Sequence, residues 1–316
     1  MFSREAIADA QRIVRSVFAP TPQQTWPLLD RRLGGTVWIK HENHTPVGAF
    51  KLRGGLVYFE ALRAREPACR GVVSATRGNH GQSVGFAARR HGLQATIVVP
   101  HGNSVEKNAA MRALGVELVE HGDDFQAARE HAGKLAQRDG LHMVPSFHED
   151  LVRGVCTYWV EFFEAIQPDL VFVPIGQGSG ICACAAARAH TGARTRIVGV
   201  VSAHATAYLD SWRSGELLEA PVTTQLADGM ACRRPDAQAL EVIRREVDDI
   251  VAVTDTEVGE AMRALFVDTH NVAEGAGAAG LAAAMQQRGR WAGRTIGVAV
   301  TGGNVDSALF AKVLAA

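Results

Sequence analysis

Short apolar runs recur along the chain at 36–40, 71–75, 95–99, 116–119, 170–174, 196–200, 250–253 and 295–300, each rich in Val and Ile. Runs of this length and β-branched content predict strands buried on both faces. Between them, the segments near 80–91, 105–114, 123–138, 150–167, 180–191, 236–246, 255–268 and 305–315 carry Ala, Leu, Glu, Arg and Gln in the proportions of helices. Thr254 ahead of Asp255 and Glu257 is a helix-start signal, with acids in the first turn. Strand–helix alternation with continuous apolar strands predicts an α/β chain whose parallel sheets are covered by helices. No internal repeat or low-complexity stretch interrupts the pattern.

Composition narrows the partners. Lys plus Arg equals Asp plus Glu at 33 each, so no net field favours nucleic acid or an anionic membrane. No apolar run approaches the roughly 18 residues of a membrane span, and Met1-Phe-Ser-Arg-Glu5 lacks the basic-then-apolar order of a signal peptide. A cytoplasmic small-molecule enzyme of one large or two closely joined domains is expected from the 316 residues. The five cysteines, at 69, 156, 182, 184 and 232, are odd in number and show no C-x-x-C pair. Free buried thiols are expected rather than a disulfide framework or a zinc site.

Candidate chemistry concentrates in glycine-rich turns. Ser74-Ala-Thr-Arg-Gly-Asn-His-Gly-Gln-Ser83 follows a strand and opens a helix, so its amides suit an anion such as a substrate carboxylate. Asn79 and His80 are its side-chain readers, although an isolated histidine there equally suits a satisfied core position. Gly176-Gln-Gly-Ser-Gly180 is again a strand-to-helix turn and offers a nest of amides for a phosphate. Ile181 stands where a dinucleotide fingerprint needs its third glycine, and no Gly-Lys-Ser/Thr forms a Walker loop. Thr301-Gly-Gly-Asn304 ends the last strand and brings a hydroxyl to the carboxyl edge of a sheet. Lys51, after Phe50 and before a glycine pair, suits a Schiff-base anchor if Phe50 and Arg53 depress its amine from the ordinary value near ~10.4. Taken alone it reads equally well as the solvated start of an amphipathic helix, with Leu52, Leu56, Phe59 and Leu62 as the apolar stripe.

The order Phe50-Lys51, Gly78-Asn79-His80-Gly81, Gly176–Gly180 and Thr301-Gly302-Gly303-Asn304 resembles the fold-type II pyridoxal-phosphate enzymes, within them the serine/threonine dehydratase and serine racemase group. The resemblance runs from about Thr21 to the C-terminus. It implies two open, twisted, mainly parallel sheets flanked by helices, with pyridoxal 5'-phosphate between a large domain (1–70 and 148–316) and a small one (71–147). It implies Lys51 as Schiff-base lysine and Cα base, Phe50 beside the ring, and Asn79 on the 3-hydroxyl. Gly176, Gln177, Gly178, Ser179 and Gly180 fall on the phosphate, Thr301 on the ring nitrogen, and Glu274 and Gly229 near the cofactor. The substrate carboxylate falls to Thr76, Arg77, Gly78, Asn79, His80 and Ser146. A neutral hydroxyl facing the ring nitrogen weakens the electron sink and favours elimination over transamination. The implied reaction is loss of water from L-threonine or L-serine, the cofactor phosphate protonating the leaving hydroxyl, and hydrolysis of the released enamine to a 2-oxo acid and ammonia. A homodimer or homotetramer is implied.

Departures from the family pattern sharpen this. Related racemases carry a serine where this chain has Arg77, and an arginine with a pKa of roughly 12 or more is a poor proton donor, which disfavours racemisation. The stretch Val201-Ser-Ala-His-Ala-Thr-Ala207 offers no carboxylate where metal-dependent relatives place acidic ligands, so no metal site is expected and His204 reads as a surface or helix-start residue. With Ala316 just after the last sheet motif, the appended regulatory domain of the long biosynthetic dehydratases is not expected. Arg77 with Arg233 keeps a larger or acidic β-hydroxy amino acid open: phenylserine, hydroxyaspartate or a compatible-solute intermediate. A β-replacement synthase and a non-catalytic amino-acid sensor are the remaining alternatives.

Overall fold

Strand–helix alternation closes into two separate sheets in the computed structural model, which describes residues 2–316. In the first half of the chain lie β1 (Gln23–Thr25), β2 (Thr36–His41), β3 (Gly71–Ala75), β4 (Gln94–Val99) and β5 (Glu117–Glu120). The second half adds β6 (His142–Met143), β7 (Leu170–Pro174), β8 (Arg196–Ser202), β9 (Asp249–Val253) and β10 (Thr295–Val300). One sheet has six strands in the order β1-β2-β10-β7-β8-β9, and the other has four in the order β5-β4-β3-β6. Every pairing is parallel except β1 with β2. The fold class expected from the sequence is therefore present, with one antiparallel edge strand too short to show a pattern.

Period-two alternation along the larger sheet sorts its side chains onto two cores. Val171 and Val173 face the aromatic helix Glu149–Ala165, where Trp159, Phe162 and Phe163 are fully buried. Leu170 and Phe172 face the opposite way, against the alanine-rich helix Gly275–Gln286 and its neighbour Asp255–Thr269. Small residues let these helices come close: a Cβ at Gly280 would lie 2.9 Å from the Phe172 carbonyl oxygen.

Two crevices follow from the strand orders. In the larger sheet, β8 and β9 follow β7 on one side and β10 is added later on its other side, and in the smaller one β4 and β5 follow β3 on one side and β6 is added on the other, so the order of addition reverses at β7 and at β3. Ligands bind parallel sheets beyond the carboxyl ends of strands at such switch points. The glycine turns after β3, β7 and β10 all sit there.

The helix Lys51–Arg65 does not behave as an amphipathic surface helix. Residues Leu52 to Phe59 are all buried, because Gly54 and Gly154 let it cross the helix Glu149–Ala165 with backbones in contact. Arg53 is fully buried beneath this crossing and donates to Glu42 (2.7 and 3.0 Å) and Glu161 (2.9 and 3.0 Å). Lys40 completes the cluster by donating to Glu161 at 2.7 Å, so two cations meet two carboxylates. Removing one member strands a buried charge, a loss of about 3–5 kcal/mol in comparable sites.

Candidate active site

Every site residue expected from the sequence lines one cavity of about 140 Å³ between the two sheets. Lys51 begins its helix with the side chain entering that cavity, where Nζ donates to Ser179 Oγ at 3.1 Å and lies 4.9 Å from the Phe50 ring centroid. Burial pulls its ammonium down to about 8, and Glu274 works in the opposite direction. Arg53, expected from the sequence to depress this amine, points the other way into the Glu42–Glu161 cluster and takes no part. Desolvation alone does that work.

The turn after β7 is built for an anion. Gly178 takes a left-handed φ of 95°, and a Cβ on Gly176 would lie 2.3 Å from the Gly229 carbonyl oxygen, so the loop packs backbone to backbone. Among the described residues, the backbone N–H groups of residues 176–180 find no protein acceptor at the start of the helix Ser179–Thr191. Free amides converging on a helix N-terminus are the standard phosphate cradle of α/β proteins. Thr301 is buried at the end of the adjacent β10, its backbone oxygen accepting from Phe50 N–H at 2.9 Å. The lysine's turn is thereby tied to the sheet edge.

The turn after β3 faces this cradle from the smaller sheet. Gly78 N–H donates to Thr76 Oγ1 at 3.1 Å, and Asn79 opens the helix Asn79–Arg90, whose first residues line the cavity. Asn79 donates to Glu274 and accepts from Asn304 Nδ2 at 2.8 Å. His80 is buried with Nε2 unpartnered, and burial together with Lys51 lowers it to about 3. It is a neutral imidazole at physiological pH and presents a polar atom without charge. Ser146, half-buried, completes this wall.

Two residues not singled out from the sequence also belong to the site. Lys107 Nζ donates to Asp228 Oδ2 at 2.8 Å and lies 3.1 Å from Glu274 Oε2. Burial favours the neutral amine of Lys107, but Glu274 and Asp228 outweigh it and raise its pKa. Burial likewise raises Glu274, with Lys107 opposing. In sequence Lys107 stands among polar residues in Val105–Ala113 and reads as solvated, yet its side chain is buried. Only in the fold does Gly78 meet it, where an added Cβ would strike the Lys107 side chain at 2.4 Å.

An amine kept near neutrality beside a phosphate cradle, with an amide-lined anion slot opposite, is what an aldehyde- and phosphate-bearing cofactor requires. The chain belongs to the family of pyridoxal-phosphate-dependent enzymes, whose model matches residues 14–302. Within that family it is 31% identical over 316 residues to the L-threonine ammonia-lyase of Thermotoga maritima, covering 99% of this chain and 78% of that one. It is 34% identical over 299 residues to an L-threo-3-hydroxyaspartate ammonia-lyase of a Pseudomonas species, covering 93% and 92%. In three dimensions it matches the processed threonine deaminase isoform 2 of Solanum lycopersicum with a TM-score of 0.88 at 27% identity, covering 99% and 93%. The residues present fit the cofactor: unsatisfied amides for the phosphate, Lys51 for the aldehyde and a cavity-facing Asn79 for the ring.

Proposed function

We propose that the protein is a pyridoxal-phosphate-dependent ammonia-lyase that eliminates water from a β-hydroxy amino acid of the threonine/serine type, the released enamine then being hydrolysed by water to a 2-oxo acid and ammonia. When bound, the cofactor supplies the electron sink that acidifies the substrate Cα proton. Lys51 holds the cofactor aldehyde and, once displaced, takes that proton at Nζ. The amides of 176–180 and the Ser179 hydroxyl hold the phosphate, Phe50 flanks the ring and Asn79 meets its 3-hydroxyl. Thr301 faces the ring nitrogen with a neutral group, while Gly229 and Glu274 close the cofactor pocket. Thr76, Gly78, Asn79, His80 and Ser146 hold the substrate α-carboxylate.

The single observation that carries this reading is the Lys51 amine, brought to about 8 by burial and reaching the cradle at Ser179. Lys51→Ala is expected to abolish ammonia release, and borohydride reduction of the wild-type holoenzyme should fix the cofactor on the peptide containing Lys51. Retained turnover in that variant rules the proposal out.

The reading extends to the whole chain. Residues 71–147 form a small domain, supported by a second sheet whose strands all come from 71–143, and 1–70 with 148–316 form the large one. A cytoplasmic location is supported by five free cysteines, which a reducing compartment preserves. No helix among the described residues is long and apolar enough to cross a membrane. A homodimer or homotetramer is supported by the apolar side chains exposed at Phe266, Val267 and Val272.

A further inference from the structure

We infer that the substrate carries a second carboxylate on its side chain and that Arg77 is the residue that selects it, an inference that rests on the elimination proposed above. The catalytic cavity does not end at the reacting centre. It shares the wall formed by Ala75, Arg77, Phe125, Ser146, Gln177 and Ala231 with an outer chamber of about 1190 Å³. The methyl group of threonine has no use for that space.

Among the described residues, Arg77 is the one cationic residue that lines both cavities. Thr76, Gly78, Asn79 and His80, the donors for the α-carboxylate, line only the inner one. Arg77 therefore addresses whatever extends outward from the substrate's β-carbon.

The acids around the outer chamber are already engaged. Asp124 and Asp236 cap helices by accepting from Ala127 N–H at 2.8 Å and from Gln238 and Ala239 N–H at 3.0 Å each. Glu219 lies 3.2 Å from Arg233 and 3.6 Å from Arg234. In the inner cavity Asp228 and Glu274 face Lys107. Among the described residues, Arg77 and Arg129 alone of the chamber's arginines meet no carboxylate and make no side-chain hydrogen bond. Arg77 is half-buried and Arg129 exposed, so Arg77 stands in the lower dielectric and interacts more strongly with an anion. A guanidinium held without a partner at the exit of an active site matches a planar carboxylate, which it grips through two parallel hydrogen bonds.

The test compares ammonia release by the holoenzyme from L-threonine, from L-threo-3-hydroxyaspartate, which places a carboxylate where threonine has its methyl, and from 3-hydroxyglutamate, one carbon longer. The wild type is expected to show a higher kcat/KM for at least one diacid than for threonine. Arg77→Ala should lower the diacid-to-threonine ratio of kcat/KM roughly ten- to a hundred-fold, the loss expected for a charge-assisted hydrogen bond. Arg77→Lys should retain part of the preference, and Arg129→Ala should reduce it less than Arg77→Ala. A wild-type preference for threonine, or a loss in Arg77→Ala that is equal for all three substrates, overturns this inference and leaves the elimination intact. Absence of ammonia from every substrate, with the cofactor fixed on Lys51, overturns both.

Discussion

A lysine whose amine sits near 8 rather than the usual ~10.4 has a pH signature of its own. Only the neutral amine attacks an aldehyde, so the rate at which the cofactor-free protein captures pyridoxal phosphate should climb about ten-fold per pH unit below 8 and level off just above it. Stopped-flow absorbance from pH 6 to 10 measures this, and a rate still climbing at pH 10 would show an unperturbed lysine. The local sequence around Lys51 hinted at such a residue and named two causes, apolar surroundings and the Arg53 cation, of which only the first acts. Arg53 stands two positions away, yet helical geometry turns it to a different side, where Glu42 and Glu161 neutralise it. Lys107 was illegible for the converse reason: its partners Asp228 and Glu274 lie more than a hundred residues away, and nothing beside it marks the contact.

At the scale of elements, the helices and strands that read clearly were those with a full period to display. The strands predicted at 71–75, 170–174 and 295–300 have those same limits, and Thr254 starts the helix expected there, adding with Glu257 a capping box that the sequence reading had not specified. β1 and β6 went unread because three and two residues show no alternation. The helix Gly275–Gln286 hid behind its glycines, which lower helix propensity but permit close packing on the sheet. Such close packing also makes the cradle brittle. Gly176→Ala pushes a methyl group into the Gly229 carbonyl, and overpacking of this kind costs about 1–3 kcal/mol. Cofactor affinity, followed by equilibrium titration, should fall roughly ten-fold or more while the far-ultraviolet circular dichroism is retained; an affinity within two-fold of wild type would show that the loop relaxes freely.

For the molecule as a whole, the sequence conveyed the α/β class and, through its ordered motifs, two sheets with a site between them. It did not convey which strands are neighbours, because pairing of β10 with both β2 and β7 joins segments remote in the chain. Nor does a sequence display which apolar side chains fail to find a partner. Phe266 packs edge-on against Phe310, while Val267 remains 56% exposed. If this face joins copies of the chain, light scattering should give two or four times the 33.8 kDa chain mass, and Val267→Asp should shift the population toward monomer. A monomer at micromolar concentration would leave that face without the proposed role.

The two switch points carry a practical consequence. On the functions proposed above, the larger sheet's turns grip the cofactor, while the smaller sheet's turn after β3 reads the substrate and shares one residue, Asn79, with the cofactor. Asn79 is hydrogen-bonded to Glu274 and Asn304, so it couples the two tasks. Redirecting the protein toward other amino acids is therefore a matter of changing positions 76, 77 and 80 while Gly78 and Asn79 are kept.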